Sequence, residues 1–179
     1  MKGFILFTVV ALSGAAAAAD ASIKRLPPSA FPELPSAIRQ TLEHRTCRIP
    51  QIWEGWKVDR HNVIRGAFFK KRQTDWAVLC SIDGKSTVLV FPQGSSRPAA
   101  ELAAADDELF VQTVNQGELG FSRAINATDP KRILQYYKEY GGPKPPPLNH
   151  QGINDAFVEK ASVIRYFHKG KWIELSGAD

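Results

Sequence analysis

The side chains able to do chemistry in this 179-residue chain are two cysteines, four histidines and a few clustered acids. His44, His61, His150 and His168 lie far apart and form neither H-x-H nor H-E-x-x-H, and Cys47 and Cys80 form no C-x-x-C. These are the short spacings at which one helix or loop presents two ligands to a single metal ion, so no metal set is expected. No G-x-S-x-G, Walker or G-x-G-x-x-G sequence occurs, which leaves no nucleophile elbow and no phosphate cradle. No catalytic residue and no cofactor is therefore assigned. Asp106, Asp107 and Glu108 could meet a cation but read as a solvated acidic turn. Asn126 to Thr128 fits the glycosylation sequon.

The cysteines take their meaning from the start of the chain. Lys2, an apolar stretch from Phe4 to about Leu12 and a run of alanines have the layout of a secretory signal peptide. Cleavage is expected near residue 19, and the apolar run is too short for a membrane span, which needs about 20 residues. Export places Cys47 and Cys80, 33 positions apart, where disulfides persist, so the pair is expected to be bridged. The alternative makes Cys80 a nucleophile. Its neighbours Val78, Leu79 and Ile82 argue against that, because a reactive thiolate needs an electropositive, partly open surrounding.

The elements that would position these residues follow from periodicity and turn chemistry. Residues 20–34 are rich in proline and read as an extended lead-in. Pro35 and Ser36 open a short helix with Ile38 and Leu42 inward. NVIRGAFF, DWAVLCSI and STVLVF read as strands, the last two joined by Asp83-Gly84 as a primed turn. That turn sets Cys80 opposite Thr87, Val78 opposite Leu89 and Trp76 opposite Phe91, with both faces apolar. AAELAAADDE reads as one or two helical turns, and LFVQTV with LGFSRAI as a further strand pair. Pro130 opens a second helix whose apolar face is Ile133, Leu134, Tyr137 and Tyr140. Lys169-Gly170 closes a last hairpin that pairs His168 with Lys171, Phe167 with Trp172, Tyr166 with Ile173 and Arg165 with Glu174.

The binding candidates are Trp53 and Trp56, a tryptophan pair in an irregular segment beside the expected disulfide, with Arg60 and His61 close behind. Such a pair suits a glycan or protein partner; its structural alternative is to cap the edge of a core. An enzymatic reading would use His61 with Asp59 or Asp75. The formal charge is +5, and losing Lys2 leaves 22 Lys and Arg against 18 Asp and Glu, a mild bias towards anionic partners. The densest basic run, Lys70, Lys71 and Arg72, lies in a loop and reads as a solvated turn. Aromatic residues do not interleave with it as they do in single-strand binders, so nucleic acid is not expected.

GAFFKKRQTDWAVL resembles an FG-GAP repeat, in which a strand with Gly and Phe leads through a calcium loop to Asp and an apolar strand. Gly66, Phe68, Asp75 and Ala77 to Leu79 carry the match. The basic loop between them lacks acidic ligands, so the implied calcium binding does not carry over. Through LEHRTCRIPQ, DWAVLCS and GKWIELSGAD the chain also resembles small exported bacterial proteins without an assigned activity.

Three segments are expected: a signal peptide over 1–19, the lead-in over 20–34, and one α+β domain over 35–179. The domain should hold an antiparallel sheet of about six or seven strands, two short helices and one disulfide. The expected role is binding or interaction in the cell envelope, as an inhibitor or accessory protein in the periplasm or outside the cell, with a protein or glycan partner. The alternative is an envelope hydrolase with a site assembled from distant residues. An enzyme should show a concave pocket with a perturbed histidine or carboxylate, and a binding module an exposed aromatic or basic patch.

Overall fold

Two dipeptides, Asp83-Gly84 and Lys169-Gly170, organise the chain around two hairpins. The computed structural model describes residues 23–53 and 60–178, so the expected signal peptide lies outside the described residues. At both turns both residues take positive φ, 49° and 75° in the first and 48° and 80° in the second. This is the primed geometry whose twist matches that of the flanking strands.

The first turn joins β4 (Asp75–Ile82) to β5 (Lys85–Phe91), in the expected register of Cys80 with Thr87, Val78 with Leu89 and Trp76 with Phe91. The second joins β11 (Ala161–His168) to β12 (Lys171–Ser176), again with the four expected pairs. Each hairpin sits in a four-stranded antiparallel sheet. Sheet I runs β3-β4-β5-β6, adding β3 (Val63–Gly66) and β6 (Ala100–Asp106). Sheet II runs β12-β11-β10-β9, adding β9 (Arg123–Thr128) and β10 (Gly152–Phe157). Two small ladders complete the set, β1 (Arg25–Leu26) with β2 (Ile49–Pro50), and β7 (Val111–Thr113) with β8 (Leu119–Phe121).

The described residues thus form twelve strands in four antiparallel sheets with two α-helices and one disulfide, where the sequence suggested six or seven strands. The extra strands have identifiable origins. β1 and β2 are only two residues long, too short to show an alternating pattern, while the expected pair LFVQTV and LGFSRAI is present as β7 and β8 and the second of these segments runs on, after Ser122, into a separate strand, β9. β6, with the sequence AELAAAD, has the composition of a helix, but pairing with β5 overrides the alanine propensity. A register shift opposite Ser86 and Val88 accompanies a positive φ of 53° at Ala103, which marks a bulge in this edge strand.

Both faces of the β4-β5 hairpin are buried, and each has a different cover. Val78, Cys80, Leu89 and Phe91 pack under α1 (Ser36–His44) through Ile38 and Leu42, with Phe31 and Leu34 beside them. Ala77, Leu79, Val88 and Val90 pack instead on Phe121, Ile125 and Ile153. On the far side of sheet II, Ile133 of α2 (Pro130–Tyr140) covers Ile164, Tyr166 and Leu175. The layers therefore run helix, sheet, sheet, helix.

α2 begins as its sequence requires, with Pro130 at the first position and the Asp129 carboxylate accepting from the Arg132 amide at 3.0 Å. Its inner face differs from the expected one. Ile133 is buried and Tyr136 packs beside it, while Leu134 and Tyr140 remain 45% and 44% exposed. The helix meets the sheet along a narrow stripe, so residues one step round the wheel stay in solvent.

Cys47 and Cys80 are bonded, with Cα atoms 5.5 Å apart, a normal span for a disulfide. Both are buried, and the adjoining Arg48 and Ser81 exchange backbone hydrogen bonds at 2.9 and 2.8 Å, so the end of α1 is fixed to β4. Asp107, expected in a solvated acidic turn, is fully buried, accepting from Arg25 at 2.8 Å and from the Ser81 hydroxyl at 2.5 Å. No helix among the described residues is long and apolar enough to cross a membrane.

Candidate functional site

His61 is held where two side-chain amides substitute for strand partners. The buried Gln51 accepts from the His61 backbone N–H at 2.8 Å and donates to the His61 carbonyl at 3.2 Å. Asn62 follows in the left-handed region, at φ 70°, a conformation that asparagine tolerates better than most residues. Its side chain donates to the carbonyls of Pro50 at 2.7 Å and Arg123 at 3.1 Å, and accepts from the Ile125 N–H at 3.0 Å. Its own carbonyl accepts from the Leu79 N–H at 2.9 Å. One buried asparagine thereby ties β3, β4 and β9 together and fixes the residue before it.

The cavity that His61 lines is about 660 Å³, a volume suited to small ligands. It opens on the part of sheet II that α2 leaves uncovered. Ala124, Asn126, Asn154 and Ala156 form its floor: Ala156 pairs with Ala124 and Asn154 with Asn126, so all four point to one face. Ile52, Val63 and Ile64 supply one wall, and Val158, Lys160 and Ser162, around the β10-β11 turn, the other. Small residues on two adjacent strands leave the space; bulky ones would fill it.

Two polar atoms in this lining lack hydrogen-bond partners, Nε2 of His61 and Oδ1 of Asn154, and both are out of contact with solvent. A buried unpaired acceptor costs about 1–3 kcal/mol. Both side chains end in soft torsions about which the rings or amide can turn towards the cavity. Burial also pushes the His61 imidazole below its ordinary value near 6.5, because desolvation penalises the charged ring. His61 is therefore neutral at pH 7 and carries an acceptor nitrogen.

The structure separates the four binding candidates. Arg60 and His61 both line the cavity. Arg60 is also anchored to the lead-in, donating to the Ala30 carbonyl at 2.5 Å, with its guanidinium 5.8 Å from the Phe31 ring centre. Trp53 packs on Ile52, Ala124 and Val158, just behind the cavity wall, and its backbone N–H donates to the Phe121 carbonyl at 3.1 Å. Trp56 lies outside the described residues, as does Asp59.

Asp75, the other proposed acid, pairs across the ladder with Gly66 at the far end of β3. Its carboxylate accepts from the amides of Phe68, Phe69 and Gln93 and from the Gln73 side chain. The remaining histidines are elsewhere: His44 in the last turn of α1, His168 at the end of β11, and His150 buried between the carbonyls of Gln151 and Phe167 and stacked on Tyr166.

Asn154 and the alanine floor were not singled out by sequence. A signal exists in retrospect, because asparagine is depleted in strands and two stand at paired positions of β9 and β10. Comparison of the chain with protein-family models, curated proteins and solved structures finds no match.

Proposed function

We propose that this chain is an exported binding protein of the cell envelope and that its ligand occupies the His61 cavity. The single observation that carries the reading is that two residues lining one largely apolar cavity each hold a buried polar atom without a hydrogen-bond partner, His61 Nε2 and Asn154 Oδ1. The ligand this favours is a small neutral molecule with an apolar body and two hydrogen-bond donors. Its body replaces water over Ala124, Ala156 and Val158, and its donors meet Asn154 Oδ1 and, in the tautomer protonated on Nδ1, His61 Nε2. Export is supported by the N-terminal pattern of a signal peptide and by the Cys47–Cys80 bridge.

The test is a fragment titration followed in amide correlation spectra, using hydroxyl-bearing aromatic and alicyclic fragments as probes. Shifts should cluster on His61, Asn154 and Ala156, and Ala156→Leu, which fills the floor, should abolish them while the fold persists. No fragment shifting these residues, or the same shifts in the filled variant, would overturn the reading.

A second reading, an envelope hydrolase, draws on the same histidine, since a neutral imidazole at pH 7 is what a general base requires. Glu159 also lines the cavity, but no hydrogen bond joins a carboxylate to the His61 ring among the described residues. Asp75 is engaged in its own loop, and the lining hydroxyl of Ser162 accepts from the Ala178 N–H at 2.8 Å. Turnover of a chromogenic ester, lost in His61→Gln but kept in Lys144→Gln, would favour this reading over simple binding.

A further inference from the structure

The loop between β3 and β4, residues 67–74, contains Lys70, Lys71 and Arg72 in succession. Its sequence reads as a solvated turn, but the fold curls it back on itself. The fully buried Asp75 accepts from the Phe68 N–H at 2.7 Å, the Phe69 N–H at 3.1 Å and the Gln73 side chain at 2.6 Å. The Phe68 ring is fully buried, so the loop is pinned on both sides of the basic run. Gln93 closes the arrangement, its N–H donating to Asp75 at 3.1 Å and its side chain to Gln73 at 3.2 Å. Gly66 admits the curl, because a Cβ there would lie 2.6 Å from the Phe68 ring.

This geometry borders a wide, open basin of about 590 Å³ lined by Arg65, Lys70, Lys71 and Arg72 together with Trp76 and Gln93. The Arg65 guanidinium stands 6.0 Å from the Trp76 ring centre. No aspartate or glutamate lines the basin, and among the described residues none of the four cations forms an ion pair. The Asp75 carboxylate is turned into the loop amides and is fully buried. Four cations bordering one concavity repel one another, and an anion of more than one charge relieves that repulsion. Two guanidinium forks and two ammonium groups together suit the clustered oxygens of an oxyanion.

We infer that this basin is a second binding site, for a ligand bearing a multivalent oxyanion such as a phosphorylated group. It shares no lining residue with the His61 cavity, so the two sites stand or fall separately. The phosphate could belong to a soluble compound or to a lipid headgroup.

The test is calorimetric titration of the full chain with inorganic pyrophosphate at roughly 20 mM and roughly 200 mM salt. Binding should appear at low salt and weaken steeply at high salt. The double variant Lys70→Gln, Lys71→Gln should lose roughly tenfold in affinity for each cation removed. Lys138→Gln with Lys144→Gln, on α2 and the following loop, makes the same change in net charge and should leave binding intact. All four lysines are exposed, so both variants should melt at the wild-type temperature. Neutral vesicles doped with an anionic phospholipid distinguish the sources. Pyrophosphate binding without vesicle binding assigns a soluble ligand, and vesicle binding lost in the Lys70, Lys71 variant assigns a headgroup. The inference fails if neither probe binds at low salt, or if the control variant loses as much as the basin variant.

Discussion

A single arginine joins the two sheets. Arg123 is 1% exposed, yet every guanidinium N–H has a partner. Nε and Nη2 grip Asp155 of β10 at 2.9 Å each, Nη1 donates to the Ser86 carbonyl and hydroxyl in β5, and Nη2 also reaches the Ala103 carbonyl in β6 at 2.7 Å. The bulge at Ala103 turns that carbonyl towards Arg123, and the Phe110 ring centre lies 4.6 Å from the guanidinium. Such an ion pair contributes little net stability, because two buried charges have lost their water. Breaking it is costly. Arg123→Met leaves the Asp155 charge without its main partner and should destabilise the fold by about 3–5 kcal/mol, read as a lower denaturant midpoint. Arg123→Met with Asp155→Leu should be milder than the single change, and an equal or greater loss would contradict this account. None of this is legible in SRAIN, where an arginine in a strand reads as outward-facing. Burial of a charge depends on partners from β5, β6 and β10, which only the assembled fold brings near.

At the scale of elements, local chemistry and distant packing divide the work. Both hairpins and both helix spans are legible, because Asp-Gly, Lys-Gly and Asp-Pro fix turns and starts within a few residues. β6 and β10 are not, since AELAAAD and GINDAF become strands only by pairing with neighbours. Half of the proposed cavity was legible on the same grounds. His61 and Arg60 stand out as polar residues in an irregular segment, whereas Asn154 and the alanines acquire a role only when β9 and β10 align. Asn62 connects these levels, being both a backbone position that needs positive φ and a side chain that makes three inter-strand hydrogen bonds. Asn62→Ala should cost about 2–4 kcal/mol, from lost bonds and the left-handed strain together. It should also broaden the amide signals of His61 and Ile125; unchanged stability and spectra would remove Asn62 from the account.

Over the whole molecule the order of elements repeats. α1, β3, β4, β5 and α2, β10, β11, β12 each place a helix ahead of three consecutively paired strands, with the tight turn between the second and third, although the two-residue β2 stands between α1 and β3 in the first series. Each helix covers the outer face of its own sheet, and the sheets pack inner face to inner face. The halves differ in how completely the helix covers. α1, aided by Phe31 and Leu34, closes its sheet, while α2 leaves β9 and β10 open, and there the cavity lies. Holding His61 neutral beside it has a consequence for the fold. With its folded value below 6.5, the native chain binds fewer protons than the unfolded chain as pH falls through the interval between the two values. Its contribution is therefore complete above pH 6.5 and is lost on acidification.

The measurement that tests this most directly is the long-range proton–nitrogen spectrum of the His61 ring between about pH 4 and about pH 8, with and without a bound fragment. The expected result is a ring less than half protonated at pH 6.5, with its midpoint below that pH, and an Nε2 signal that moves when the fragment enters. A ring already half protonated at pH 6.5 or above, or an Nε2 signal indifferent to a bound fragment, would contradict it.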